Sequence, residues 1–155
     1  MITVRSAAAA DVPAMSRVMI ASITNLAVAD HRNDPALVAR WTANKTEAGV
    51  RKMLGSESIS LFVAECDGVI AAVGAIIEPD TIGLNYVDPA HRFAGVSKAL
   101  MLAMETVLQR NGIVEGKLHS TETAHQFYLA SGWTDAGPPE EAFGMSDYPM
   151  RKRLA

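Results

Sequence analysis

Between Tyr86 and Leu100 the chain reads Tyr-Val-Asp-Pro-Ala-His-Arg-Phe-Ala-Gly-Val-Ser-Lys-Ala-Leu. An apolar stretch ends near Val87, Pro89 breaks it, and helical spacing of apolar residues begins around Gly95 to Ser97. The backbone N–H groups of Phe93, Ala94, Gly95, Val96, Ser97 and Lys98 would converge at that helix start without intrahelical acceptors. Such a cluster, at the positive end of a helix dipole, suits an anion. Gly95 lets a ligand approach the main chain closely, and Arg92 and Lys98 add positive charge. Taken alone, the same pattern also describes a plain structural turn.

A second stretch, Thr121-Glu-Thr-Ala-His-Gln-Phe-Tyr-Leu-Ala-Ser-Gly-Trp133, puts Ala124, Phe127 and Tyr128 on one helix face and ends at Gly132. Tyr128 there either packs in a core with its hydroxyl satisfied by a neighbour, or handles a proton. His119 lies just ahead, on a short strand, and titrates in a range useful for acid–base work; it serves equally well as a structural histidine. Glu78 and Asp80 stand at a turn, where a role as base competes with simple solvation. Cys66 alternates with apolar strand positions and reads as a small core residue. His31, His91 and His125 lack metal-ligand spacing and read as surface residues. Met15 and Met19 are candidates for a substrate wall, and Trp41 for a cover over an acceptor site, with core packing as the alternative for all of them.

These residues need a scaffold, and the composition permits one. At 155 residues, with 49% hydrophobic and 20% charged, the chain reads as a single packed domain spanning residues 1–155. A formal charge of −3 argues against a nucleic-acid-binding surface. One cysteine excludes an internal disulfide and cysteine-based zinc frameworks, and no metal is expected. The longest apolar run, Val69 to Ile77, is far short of the ~20 residues that span a bilayer, so the reading is a cytoplasmic protein without a membrane partner.

Strands are expected at Ile2–Arg5, Ile59–Cys66, Val69–Ile77, Thr81–Val87, Gly116–Ser120, near Trp133, and from Asp147 to Leu154. Asp67-Gly68 marks a hairpin turn, and Gly83 marks a bulge or a close approach. Helices are expected after a cap at Asp11, after Asp34-Pro35, from about Thr46 to Leu54, from Val96 to Leu108, and from Thr121 or Glu122 to Gly132. A break is expected at Ala29–Asn33, and turn chemistry from Gly137 to Glu141. The result is a mixed α+β domain.

The two stretches together resemble the GNAT superfamily of acyl-CoA-dependent N-acetyltransferases. That family's pyrophosphate loop reads [Q/R]-x-x-G-x-[G/A], often after V-x-P; here Val87 and Pro89 precede Arg92-Phe-Ala-Gly-Val-Ser97, with Ser97 departing from the small residue. Its later motif, N-x-x-A-x-x-[F/L]-Y-x-x-x-G-F, finds Ala124, Phe127, Tyr128 and Gly132, with Thr121 replacing Asn and Trp133 replacing Phe.

The resemblance implies a central, mostly antiparallel sheet of six to seven strands with about four flanking helices, splayed between the fourth and fifth strands. It implies acetyl-CoA as co-substrate and direct transfer to a primary amine in a ternary complex, with a homodimer common among such proteins. Tyr86 and Val87 would pair with pantetheine, the Arg92–Lys98 amides would hold the diphosphate, and Thr121 would stand at a pantetheine contact. Tyr128 would lie near the sulfur, and the backbone N–H near Val87 would face the oxyanion. A catalytically silent acyl-CoA-binding or sensor domain is the alternative, with Ser97 and Thr121 as its signs.

Overall fold

Alternating and continuous apolar strands with small residues at their centres assemble into one open sheet against which helices pack closely. The computed structural model describes residues 1–155. Its first half runs β1 (Ile2–Ser6), α1 (Val12–Leu26), α2 (Val28–His31), α3 (Pro35–Thr42), α4 (Glu47–Leu54), β2 (Ile59–Cys66) and β3 (Val69–Ile77). The second half runs β4 (Thr81–Val87), α5 (Val96–Arg110), β5 (Glu115–Ser120), α6 (His125–Ala130), β6 (Thr134–Asp135), β7 (Glu140–Ala142) and β8 (Met145–Arg153). The strand order is β1-β2-β3-β4-β5-β8-β6, with β7 paired to β8. Every pairing is antiparallel except β4 with β5. No helix is long and apolar enough to cross a membrane.

The sheet buries both faces. On one, Val96, Leu100, Met104 and Leu108 of α5 pack on Ala64, Ala72, Leu118 and Trp133. On the other, Val12, Met15, Val18 and Met19 of α1 pack on Leu61, Val63, Val73 and Ala75. Gly74 explains how α5 lies so near: a Cβ there would stand 2.8 Å from the Met104 side chain.

The element count exceeds the expectation. Eight strands form rather than six to seven, because the segment read as turn chemistry folds back as β7 on β8. Six α-helices form rather than about four; one of the additions is α2, where a break was expected. The expected helix from Thr121 starts later, at His125. Asp30 accepts the N–H groups of Glu122 (2.7 Å) and Thr123 (3.2 Å), and the Thr121 hydroxyl accepts that of Ala124 (3.1 Å), so the segment is held as a turn. Asp11 does not cap α1 with its side chain. It closes the preceding 3-10 turn instead, accepting from Ala8 N–H at 2.8 Å and from Arg5. His31, read as a surface residue, is fully buried.

The decisive feature is where β4 leaves β5. The two strands pair only at Thr81 with Lys117 and Ile82 with Leu118. Directly afterwards β4 bulges: Ile82 pairs with Ile76 and Leu84 with Ala75, leaving Gly83 as the extra residue. A side chain at Gly83 would collide with Ile77, whose Cδ1 lies 2.4 Å from the position of a Cβ. The bulge bends β4 away from its parallel neighbour and opens a cleft between them.

Candidate active site

That cleft is a cavity of about 510 Å³ bounded by β4, β5, α1, the start of α5, and α6. One end is the loop between β4 and α5. Asp88 shapes it, accepting from Ala90 N–H at 3.0 Å and from the Arg17 guanidinium at 3.2 Å. Phe93 and Gly95 both adopt the left-handed region, with φ of +66° and +80°. The phenylalanine pays a backbone penalty that Gly95 avoids. No side chain caps α5, so the N–H groups of Val96, Ser97 and Lys98 emerge unpaired from its first turn. Arg92, Phe93, Gly95, Val96, Ser97 and Lys98 all line the cavity. This end presents unpaired N–H groups and the positive side chains of Arg92 and Lys98 to the cavity.

Ala94 departs from the expected cradle. Its N–H donates to the His91 carbonyl at 3.4 Å, and the residue does not line the cavity. Phe93 is almost fully exposed, with the Arg92 guanidinium 4.6 Å from its ring centre.

The long wall is the freed edge of β4. Asp88 N–H donates to Ala71 of β3, so the period of two turns the N–H groups of Asn85 and Val87 toward the cleft. The Asn85 side chain does more. Its Nδ2 donates to the Tyr128 hydroxyl at 3.2 Å, while its Oδ1 is buried without a partner. Burial pushes the Tyr128 phenol up to about 12, partly opposed by the Asn85 hydrogen bond. Tyr128 therefore stays protonated, and because its oxygen accepts from Asn85, its own proton is free to donate into the cavity. Nothing in the sequence around Asn85 marked it out; only the packing of β4 against α6 brings these side chains together.

The opposite side of the cleft is formed by α1, α3 and β5. Trp41 Nε1 donates to the Tyr86 hydroxyl at 3.1 Å, and burial raises the Tyr86 phenol's pKa. His31 stands edge-on to Trp41, with ring centres 6.3 Å apart. Its Nδ1 accepts from Asn33 N–H (3.0 Å), so its Nε2 carries the proton that goes to the Ile23 carbonyl (2.7 Å). Trp41 and Tyr86 are thus fixed rings facing the cavity. Met15 and Met19, read as candidates for this wall, are fully buried beneath α1 and do not line it.

His119 lines the cavity from β5, and its Nδ1 lies 2.8 Å from Asp147 Oδ2 on β8. Nε2 has no protein partner. Asp147 escaped sequence reading because 28 residues separate it from His119 and only the β5–β8 pairing joins them. Glu78 is not brought to the site. It is exposed at the end of β3, beside the paired end of β4 and β5 rather than the open one, and is absent from the cavity wall. Thr121 lines the cavity, although its hydroxyl is engaged with Ala124.

Comparison with known proteins agrees with this geometry. No curated protein matches the chain in sequence. A GCN5-related N-acetyltransferase structure from Rhodopseudomonas palustris superposes with a TM-score of 0.85 at 20% identity, covering 97% of this chain and 94% of that one. The PaiA N-acetyltransferase of Thermoplasma acidophilum, solved in complex with coenzyme A, gives 0.78 at 17% identity over 99% of both chains. The family model for the acetyltransferase (GNAT) domain matches residues 16–154, which takes in the β4–α5 loop, the splayed strands and α6, and on that match the chain belongs to the GNAT acetyltransferases.

Proposed function

We propose that this protein transfers an acetyl group from acetyl-CoA to a primary amine by direct attack in a ternary complex. One observation carries the reading: a single cleft joins an uncapped helix start, an unpaired strand edge and a buried, protonated phenol. The free N–H groups of the α5 first turn, with Arg92 and Lys98, bind the diphosphate. The β4 edge beyond the bulge pairs with the pantetheine amides as a strand would.

The amine nitrogen attacks the thioester carbonyl, and negative charge builds on its oxygen. The cleft-facing N–H of Val87 is placed to stabilise that charge. Collapse breaks the C–S bond; the electron pair leaves on sulfur, where the Tyr128 hydroxyl donates a hydrogen bond. The proton lost by the amine passes to His119 Nε2, directly or through water, with Asp147 holding the ring by Nδ1. This pair favours turnover over a silent CoA-binding domain, which needs no oriented base.

Thermal shift separates the ligand classes: acetyl-CoA and CoA raise the Tm, whereas ATP and NAD leave it unchanged. Thiol release from acetyl-CoA then depends on amine, and initial-rate lines for the two substrates intersect. Stabilisation by acetyl-CoA with no product from any amine assigns the protein as a silent binder. A burst of thiol without amine, leaving acetyl on the protein, overturns direct transfer.

A further inference from the structure

The acceptor side of the cleft carries information about the amine itself. None of the 24 residues lining the cavity is an aspartate or glutamate. The carboxylates that approach it are already engaged. Asp147 is bound to His119, Asp30 is buried against the Glu122 and Thr123 amides, and Asp88 holds Arg17 and Ala90. The charged side chains that do line the cavity, Arg92 and Lys98, are positive. Where α1, α3 and β4 meet, the wall is Ile23, Leu26, Trp41, Leu84 and Tyr86. Trp41 and Tyr86 are locked to one another, so the aromatic surface is formed before any ligand arrives.

From this we infer that the acceptor is a primary monoamine carried on an apolar, preferably aromatic, body, and that polyamines and amino acids are poor acceptors. The inference rests on the acetyl-transfer reading above. A body of that kind removes the apolar wall from water, and flat rings stack on Trp41 or Tyr86. Its one nitrogen can shed its proton in a cavity lined by no carboxylate that would hold it as an ammonium, and the neutral amine so formed is the species that attacks. A second ammonium would be buried against the same wall with no lining carboxylate to pair it, which disfavours binding. An amino acid would bring a carboxylate to an apolar wall, whereas the cationic side chains of the cavity, Arg92 and Lys98, stand at the opposite, loop end.

The probes are phenethylamine, phenylalanine and spermidine, assayed by thiol release from acetyl-CoA and by calorimetry on the CoA-loaded protein. Phenethylamine is expected to exceed each of the others in kcat/KM by about 100-fold or more, on the order of one uncompensated buried charge. Trp41→Ala should lower kcat/KM for phenethylamine by roughly tenfold or more while acetyl-CoA still raises the Tm as before. Leu26→Glu, which supplies the missing carboxylate, should turn the preference toward spermidine.

Faster turnover of spermidine or phenylalanine by the unaltered protein overturns the inference and leaves acetyl transfer standing. Phenethylamine that binds the CoA-loaded protein without releasing thiol upholds the pocket and overturns the transfer reading. Absence of both binding and turnover for phenethylamine overturns the inference outright.

Discussion

Replacing Tyr128 by phenylalanine tests what a buried phenol can do for a departing thiolate. Its pKa is pushed up to about 12 by burial, whereas a free thiol ionises near 8.5. Full proton transfer from phenol to thiolate is therefore uphill by roughly 3.5 units, or about 5 kcal/mol, when the thiolate is referred to water. On the proposed mechanism, Tyr128 is accordingly a hydrogen-bond donor to the thiolate more than a source of a delivered proton. A hydrogen bond to a charged acceptor contributes about 1.5–3 kcal/mol, so Tyr128→Phe should lower kcat by roughly 10- to 150-fold. The KM for acetyl-CoA should change by less than about twofold, because the proposed diphosphate and pantetheine contacts lie elsewhere.

The same substitution removes the acceptor of Asn85 Nδ2, in a side chain whose Oδ1 already lacks a partner. Denaturation at pH 7 should show a loss of about 1–2 kcal/mol. At alkaline pH the sign follows from the raised native pKa. The unfolded chain releases the Tyr128 proton near pH 10 and the native one near 12, so the unfolded state binds fewer protons between them. The unaltered protein should lose stability in that interval by up to about 1.4 kcal/mol per pH unit more than the phenylalanine variant. Unchanged kcat would remove Tyr128 from the reaction. A loss beyond about 10⁴-fold, or an alkaline limb from this residue below pH 9, would refute the hydrogen-bond account and require true proton delivery.

Other perturbations address the remaining parts. Gly95→Asp places a side chain at φ +80° and a negative charge against the free amides, and should weaken acetyl-CoA binding by about 100-fold or more in calorimetry; unaltered affinity would move the diphosphate elsewhere. His119→Ala should reduce kcat by roughly 100-fold, with a smaller loss for Asp147→Asn and an intact acetyl-CoA thermal shift in both; equal rates would leave deprotonation to solvent. Arg5 hydrogen bonds hold Asp11 below the usual carboxylate range, so its stabilisation is present above about pH 4 and lost as pH falls further. Asp11→Asn should therefore cost about 1–3 kcal/mol in urea at pH 7 and progressively less as pH falls below about 4; a cost independent of pH would place the effect in packing.

Local pattern determined much of this molecule. The α5 helix with its glycine at the start, the β2–β3 hairpin and the apolar face of α6 are encoded by neighbours in sequence, because helical and strand periodicities act over a few residues. The β4–α5 loop was legible for the same reason: it is a property of one strand–turn–helix junction. What only the tertiary structure decided is which distant side chains share a cleft. Asn85 reaches Tyr128 across 43 residues, Trp41 reaches Tyr86 across 45, and His119 reaches Asp147 through a strand pairing. Glu78 shows the converse, a carboxylate at a plausible turn that the β4–β5 pairing leaves at the closed end. Periodicity fixes the face a residue occupies, whereas the bulge at Gly83 and the order of strands fix what lies opposite it.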